Sequence, residues 1–146
     1  MPNTRESIER RIARLRVDMV EQGRRVERLV EGAVEAVFDR DAEKAAWVIK
    51  HDAVIDRADV EIERAAVDML TDIAREAFDL SPEQLRLVLM IVKVNNELER
   101  TADGAVEIAQ QVEVFKTLSD EPSGRFRVMA NSAVGIVRDT VTCFEN

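Results

Sequence analysis

Asp79-Leu80-Ser81-Pro82-Glu83-Gln84 is the stretch whose reading decides the fold. Ser81 is a good helix N-cap, Pro82 suits the first helical position, and Gln84 completes a capping box with Ser81. The stretch therefore ends one helix and starts another. Long segments with apolar residues at helical spacing run away from it on both sides. Upstream, from about residue 42 to about 78, the stripe is Val48, Ile49, Ile55, Ile62, Ala66, Met69, Leu70 and Ile73. Downstream, to about Lys116, it is Leu85, Val88, Leu89, Val92, Val106, Ile108, Ala109 and Val112. A short turn between two long helices makes them pack antiparallel.

The same pattern extends outward. A first helix is expected from about Ser7 to about Asp39, with Ile8, Ile12, Leu15, Met19, Val26, Leu29, Val30, Ala33 and Val37 on its apolar face. Gly23 and Gly32 read as tolerated costs inside it. Asp39-Arg40-Asp41 is a polar break, and either Asp can cap the next helix. Ser119-Asp120-Glu121-Pro122-Ser123-Gly124 is a second strong break. Beyond it, Phe126, Met129, Ala130, Ala133, Val134, Val137, Val141 and Phe144 form the face of a fourth helix. No strand pattern competes. The expected fold is all-α: an elongated antiparallel three-helix bundle over residues 7–118, with a fourth helix over 123–146. Helices of this length span about 45–55 Å. The fourth helix is expected to complete a four-helix bundle, to pair across an oligomer interface, or to open a second repeat that is incomplete here.

Composition narrows the function. The chain of 146 residues is 46% hydrophobic and 34% charged, enough for one domain with a core and a wet surface. Its net charge of -8 argues against binding nucleic acid through phosphates, which needs a basic face. Cys143 is the one cysteine, so no internal disulfide can form and the cytoplasm is the expected compartment. No apolar run approaches the ~20 residues of a membrane span. No phosphate-cradling glycine loop or nucleophile motif is present, so no catalytic residue is named and an enzyme is not expected.

Two carboxylate pairs at i, i+4 spacing carry the chemistry. These are Asp52 with Asp56, and Glu99 with Asp103. Asp52 and Asp59 fall inside the apolar arc of the second helix, with Asp56 and Glu63 at its edge. Asn96, Glu99 and Asp103 interrupt the stripe of the third. In an antiparallel hairpin the two pairs face one another with an axial offset of about 9 Å. Facing carboxylates at a packing face need compensation, and the candidates are a cation, a metal or open water. Oxygen-only ligands suit Mg, Mn, Ca or Fe, and Zn less well. The competing reading is ion pairing with Arg57, Arg64, Lys93 or Arg100, a common use of such clusters. Spacing alone leaves both open. His51 is read as solvated or ion-paired, Trp47 as an anchor of the bundle, and Cys143 as a small apolar residue of the fourth helix. The arginines of the first helix read as a solvated face.

Pro82-Glu83-Gln84-Leu85-Arg86, then Lys93, then Glu97-Leu98-Glu99-Arg100-Thr101-Ala102-Asp103-Gly104-Ala105 and Ile108-Ala109 resemble the repeat of the PhoU family of phosphate-signalling regulators. Asp52 and Asp56 match that repeat's D/E-xxx-D pair, and Leu15 to Asp41 is similar to its opening segment. The resemblance covers roughly residues 10–115, one three-helix repeat, where family members normally carry two. Gln84 stands where Asp is usual, and Thr101-Ala102 where Ile-Gly is. The resemblance implies a non-enzymatic cytoplasmic regulator of phosphate homeostasis. Such a protein represses phosphate-starvation signalling by docking on the ATPase of a phosphate ABC transporter and on a sensor histidine kinase. It also implies metal binding at Asp52, Asp56, Glu99 and Asp103, with Asp59, Glu63 and Asn96 as auxiliaries and Fe, Mn, Mg or Zn as the ion. A homodimer or higher homo-oligomer is expected, with no nucleic acid partner and no membrane insertion. The alternatives are a carboxylate-bridged metal-storing or redox metalloprotein, and a metal-free helical adaptor.

Overall fold

The computed structural model describes residues 5–76, 79–118 and 123–145, with side chains from residue 7 onward. Among these residues the structure is helical, with no strand. The helices are α1 (Arg5–Asp39), α2 (Ala42–Arg75), α3 (Pro82–Gln110), the short α4 (Val112–Thr117) and α5 (Gly124–Glu145). The fold is the expected all-α bundle. The long third segment is broken once, at Gln111, whose N–H donates to the Ile108 carbonyl at 3.0 Å in a tightened turn. The expected break over residues 119–122, Phe78 and Asn146 lie outside the described residues.

Local chemistry explains the ends. Asp41 caps α2, its carboxylate accepting from the N–H groups of Glu43 at 2.9 Å and Lys44 at 3.0 Å. Arg40 before it has φ 55°, the left-handed conformation that stops α1. The capping box at α3 forms as read: Ser81 Oγ accepts from Gln84 N at 3.2 Å, and Ser81 N donates to Gln84 Oε1 at 3.0 Å.

Every residue of the expected α1 stripe is buried, as is that of α2 apart from exposed Ile49 and half-buried Leu70. The α3 stripe is turned from its expected phase. Its buried residues are Val88, Ile91, Asn95, Leu98, Ala102, Ala105 and Ala109, while Leu85 and Leu89 are exposed. Three alanines thus hold core positions in the second half of α3, where hydrophobic area alone does not mark the buried face.

Helix α1 is the axis of the molecule, packing on α2, α3 and α5, whereas α5 lies on α1 alone among the described helices. Gln22 on α1 is fully buried and donates to the Ile55 carbonyl of α2 at 2.7 Å. Helix α5 runs antiparallel to α1. Arg138 bridges Glu27 at 2.6 Å and Glu31 at 2.8 Å, and Arg24 pairs with Glu145. The Phe38 and Phe126 rings meet at 5.5 Å, with the Arg127 guanidinium 3.8 Å over Phe38. The two α1 glycines are packing positions rather than tolerated costs. A Cβ on Gly23 would collide with Val141 of α5, and one on Gly32 would press on Val48 at 3.2 Å and Trp47 at 3.3 Å.

Candidate metal centre

The α2–α3 seam is set by one buried side chain. Asn95 Nδ2 donates to the Asp59 side chain at 2.6 Å and to the Asp59 carbonyl at 3.2 Å. Asn95 is 1% exposed, so this pair acts as a pin that fixes the register of the two helices. Asp56 stands three residues from Asp59 along α2, and Glu99 four from Asn95 along α3. Asp52 and Asp103 lie one turn further on in each helix. The two pairs are therefore level to within about one residue, or ~1.5 Å, and not offset by the ~9 Å that a turn centred on Leu80 implied.

Electrostatics ties the seam together. Asp52 is half-buried, and its carboxyl is pushed above the usual carboxylate range by burial first, then by the charges of Asp56 and Asp103. Glu99 is pushed up by burial, then by Asp103, Asp59, Asp56 and Asp52. Asp59 is pushed up by burial, then by Glu63 and Asp56. All four residues named from the sequence thus share one field, and the expected auxiliaries Asp59 and Glu63 share it too. Asn96 is exposed, and its neighbour Asn95 makes the seam contact instead.

Among the described residues, no lysine or arginine comes within ion-pair distance of Asp52, Asp56, Glu99 or Asp103. Arg100 turns to Glu97 at 3.5 Å. Arg57, Arg64, Lys93 and Arg100 all stand about 170–200° around their helices from the core direction, whereas Asp52, Asp59 and Glu99 stand within about 70° of it, and Asp56 and Asp103, at about 90° and 110°, are exposed. Ion pairing therefore does not compensate the seam.

Two buried acceptors lie in the same seam with no donor among the described residues: Asp52 Oδ1 and Asn95 Oδ1. Buried oxygens of this kind are costly unless water or a cation meets them. No three of the described His, Cys, Asp and Glu side chains converge into a ready coordination sphere. Like charges on neighbouring turns lower their repulsion by turning apart, and a cation reverses that preference. The donor set is hard oxygen throughout, the chemistry of Mg and Mn, and the orphaned Asp52 oxygen fits such an ion.

His51 takes no part in the seam. Its ring stacks on Trp47 with centroids 4.2 Å apart, and Nδ1 lies 2.8 Å from the Trp47 carbonyl. Trp47, packed over Gly32, is still 40% exposed. Cys143 is exposed, so it is not a packed apolar residue of its helix. Sequence reasoning missed Gln22, and of the two neighbouring asparagines it named Asn96 rather than Asn95 as the auxiliary. Gln22 and Asn95 are each a polar residue at a core position of the helix, and that was the available signal. Elsewhere, an apolar recess of about 580 Å³ between α1, α3 and the end of α5 is lined by Ile12, Val20, Leu87 and Phe144. It holds none of the seam carboxylates.

Fold and site together define a class: a bundle of long helices bearing an acidic seam that no lysine or arginine among the described residues compensates. The sequence matches the PhoU domain family over residues 19–112, which takes in the whole seam. It is 32% identical over 123 residues to the phosphate-specific transport system accessory protein PhoU homolog of Aquifex aeolicus, covering 84% of this chain and 52% of that protein. With the homolog of the same description from Zymomonas mobilis it shares 30% identity over 131 residues, covering 89% and 53%. The accessory protein PhoU of Edwardsiella tarda is 31% identical over 96 residues, covering 66% and 37%. The chain belongs to the PhoU family. It spans about half the length of the curated relatives it matches. No described helix is long and apolar enough to cross a membrane.

Proposed function

We propose that this chain is a phosphate-transport accessory protein of PhoU type. It acts in the cytoplasm as a non-enzymatic regulator that represses phosphate-starvation signalling. It docks on the ATPase of a phosphate ABC transporter and on a sensor histidine kinase. Family membership and the names of its relatives support the association with phosphate transport.

The observation that carries the chemical half of the proposal is the uncompensated seam. Asp52, Asp56, Glu99 and Asp103 would hold an ion of the Fe, Mn, Mg or Zn group, with Asp59 and Glu63 adjoining. A bound cation supplies positive charge that offsets the mutual repulsion of these carboxylates. The residues of the chain do the rest. Asn95 holds α2 and α3 in register, Gln22 ties α2 to α1, and the paired acids present oxygens at matched height. Metal occupancy would then stiffen the α2–α3 hairpin and the surface it offers to a partner.

Elemental analysis of protein purified without added metal tests this directly, alongside the double variant Asp56→Ala, Asp103→Ala. The expected result is bound metal in the wild type and its loss in the variant. Transporter-ATPase binding, followed by titration calorimetry, should weaken in parallel. Unchanged partner affinity in a metal-free variant removes the ion from the mechanism. Many ions per chain, or redox turnover with iron, would favour a metal store or redox metalloprotein. Protein without metal that still binds the ATPase would be a plain adaptor.

A further inference from the structure

The face of the α2–α3 hairpin that carries the acidic seam is apolar at its other end. With Asn95 beside Asp59 the register is fixed, so Leu89 falls level with residue 65 and Leu85 with residue 69. Val67 stands between them in height. Val67 is 54% exposed, Leu85 41% and Leu89 56%. All three stand about 110–150° around their helices from the core direction, on the same side as Asp56 and Asp103. Together they make an apolar strip beside the Ser81 turn, and exposed Glu63 closes it off from the seam. Cations edge the strip on both sides. Arg64 on α2, and Arg86 and Lys93 on α3, are exposed, and none of the three has an ion-pair partner among the described residues. Asp68 is four residues from Arg64, yet the two do not pair. Leu85, Arg86 and Lys93 belong to the stretch that carries the family resemblance, but the core, the capping box and the seam use none of them. Helices α1, α2 and α3 each touch the other two, so this face is the one turned away from α1, and α5 lies on α1 alone among the described helices.

We propose that this strip docks an acidic amphipathic helix of a partner protein. Apolar residues of that helix, three or four apart, lie on Val67, Leu85 and Leu89. Its Asp or Glu residues flank them and meet Arg64 on one edge, Arg86 and Lys93 on the other. The inference rests on the reading that this chain works by docking, and it names the surface and the chemistry of what docks. The groove between two helices seats a third, and anchors one turn apart are how such a groove is read. Charge fixes the occupant. A chain of net charge -8 repels an acidic partner over most of its surface, so cations left without partners in the fold decide where and in which orientation it lands. The long stems of the three cations also extend the apolar floor while their heads stay in water.

Titration calorimetry of the full chain with the ATPase of a phosphate ABC transporter, and with the cytoplasmic part of a sensor histidine kinase, tests it. Leu89→Glu should weaken binding of at least one of them about tenfold or more. The double variant Arg86→Glu, Lys93→Glu should do the same and should flatten the dependence on salt. These side chains are exposed, so helical circular dichroism should not change. Val54→Glu, on the α1–α2 side of the bundle, should bind as the wild type does. Leu89→Cys in a Cys143→Ser background should react with a maleimide as fast as exposed Cys143 does in the wild type. Binding that ignores both Leu89→Glu and the double reversal overturns the proposal and leaves the docking reading standing. A wild type that binds neither protein overturns both. Slow labelling of Leu89→Cys means that other chain covers the strip, and self-association abolished by Leu89→Glu means that a second copy does; either overturns the proposal.

Discussion

Asp52→Asn should stabilise the protein stripped of metal and abolish the stabilisation that metal confers. Asparagine keeps the size and shape of the side chain and removes its charge. In the folded state that charge is opposed by burial and by two named neighbours, Asp56 and Asp103. A like-charge pair four residues apart on a helix costs about 0.2–0.5 kcal/mol at a wet surface, and the pair Asp52 makes across to Asp103 on α3 is taken as similar. Two such pairs, with a small part of the burial cost, give about 0.5–1 kcal/mol of relief. The figure is kept low because half-buried Asp52 is partly screened by water. For a chain of this size that is a rise of about 1–4 °C in Tm. With manganese at ~100 times its Kd, the wild type should gain about 2.7 kcal/mol, and the variant, one anionic ligand short, far less. The order of stabilities then crosses: the variant is the more stable in EDTA and the wild type the more stable in manganese. Urea unfolding at about pH 7.5, in both conditions, reads the effect. A loss of about 1 kcal/mol or more by the variant in EDTA would mean that the Asp52 charge is held by a favourable contact, which refutes the account of the seam. An equal manganese gain in both proteins would remove Asp52 from the ligand set.

The same seam fixes the sign of the pH dependence. Asp52, Asp59 and Glu99 are all pushed upward in the fold, so the native state binds more protons than the unfolded chain just above the ordinary carboxylate range. Their contribution to stability therefore rises as the pH falls through their raised values, and metal-free protein should unfold at higher urea at about pH 5.5 than at about pH 7.5. Saturating manganese should reverse the trend, because protons compete with the ion for the same oxygens; a metal-free protein that loses stability over that interval contradicts the assigned shifts. Gly23→Ala tests how α5 is held. Overpacking against the stiff Val141 costs about 1–3 kcal/mol, against about 1 kcal/mol gained in helix propensity. The expected net loss should appear in hydrogen exchange as faster exchange in α5 with α2 and α3 unchanged, and a variant with unchanged α5 protection would show that the close approach does not matter.

What could be read from the sequence was what is decided locally. The capping box at Ser81 and Gln84 is a contact between residues three apart, and it forms as read. The α1 stripe was legible because α1 packs on three helices and most of its large apolar residues are buried. Helix α3 was harder to read because it carries two overlapping stripes. Leu85 and Leu89 offer more area but are exposed, whereas the small Ala102 and Ala105 are buried, and small residues weigh little in a pattern read from hydrophobicity. The register of α2 against α3 was misjudged for a related reason. A count from the turn assumes that both helices start level, whereas the bond from Asn95 to Asp59, made across 36 residues, sets the true alignment.

The seam itself was legible as charge, and the question left open there was whether an ion pair, a metal or water compensates it. That question turns on angle rather than on proximity along the chain. Arg57 follows Asp56 directly, yet one residue is about 100° of rotation, which carries its side chain to the outside of α2 while the carboxylate stays at the edge of the core. Lys93 on α3 is carried away in the same manner. Arg100 is within reach of Asp103 by spacing, but Glu97 on the same outer side takes it. A helix that alternates acid and base along its sequence can thus keep the two apart around its circumference. Cations on the outside leave the inside acidic. A chain that merely needed its acids neutralised could have placed an arginine a turn away on the same face, as Glu21 and Arg25 do on α1. The separation of the seam acids from every nearby base among the described residues is therefore the observation on which the proposed cation rests.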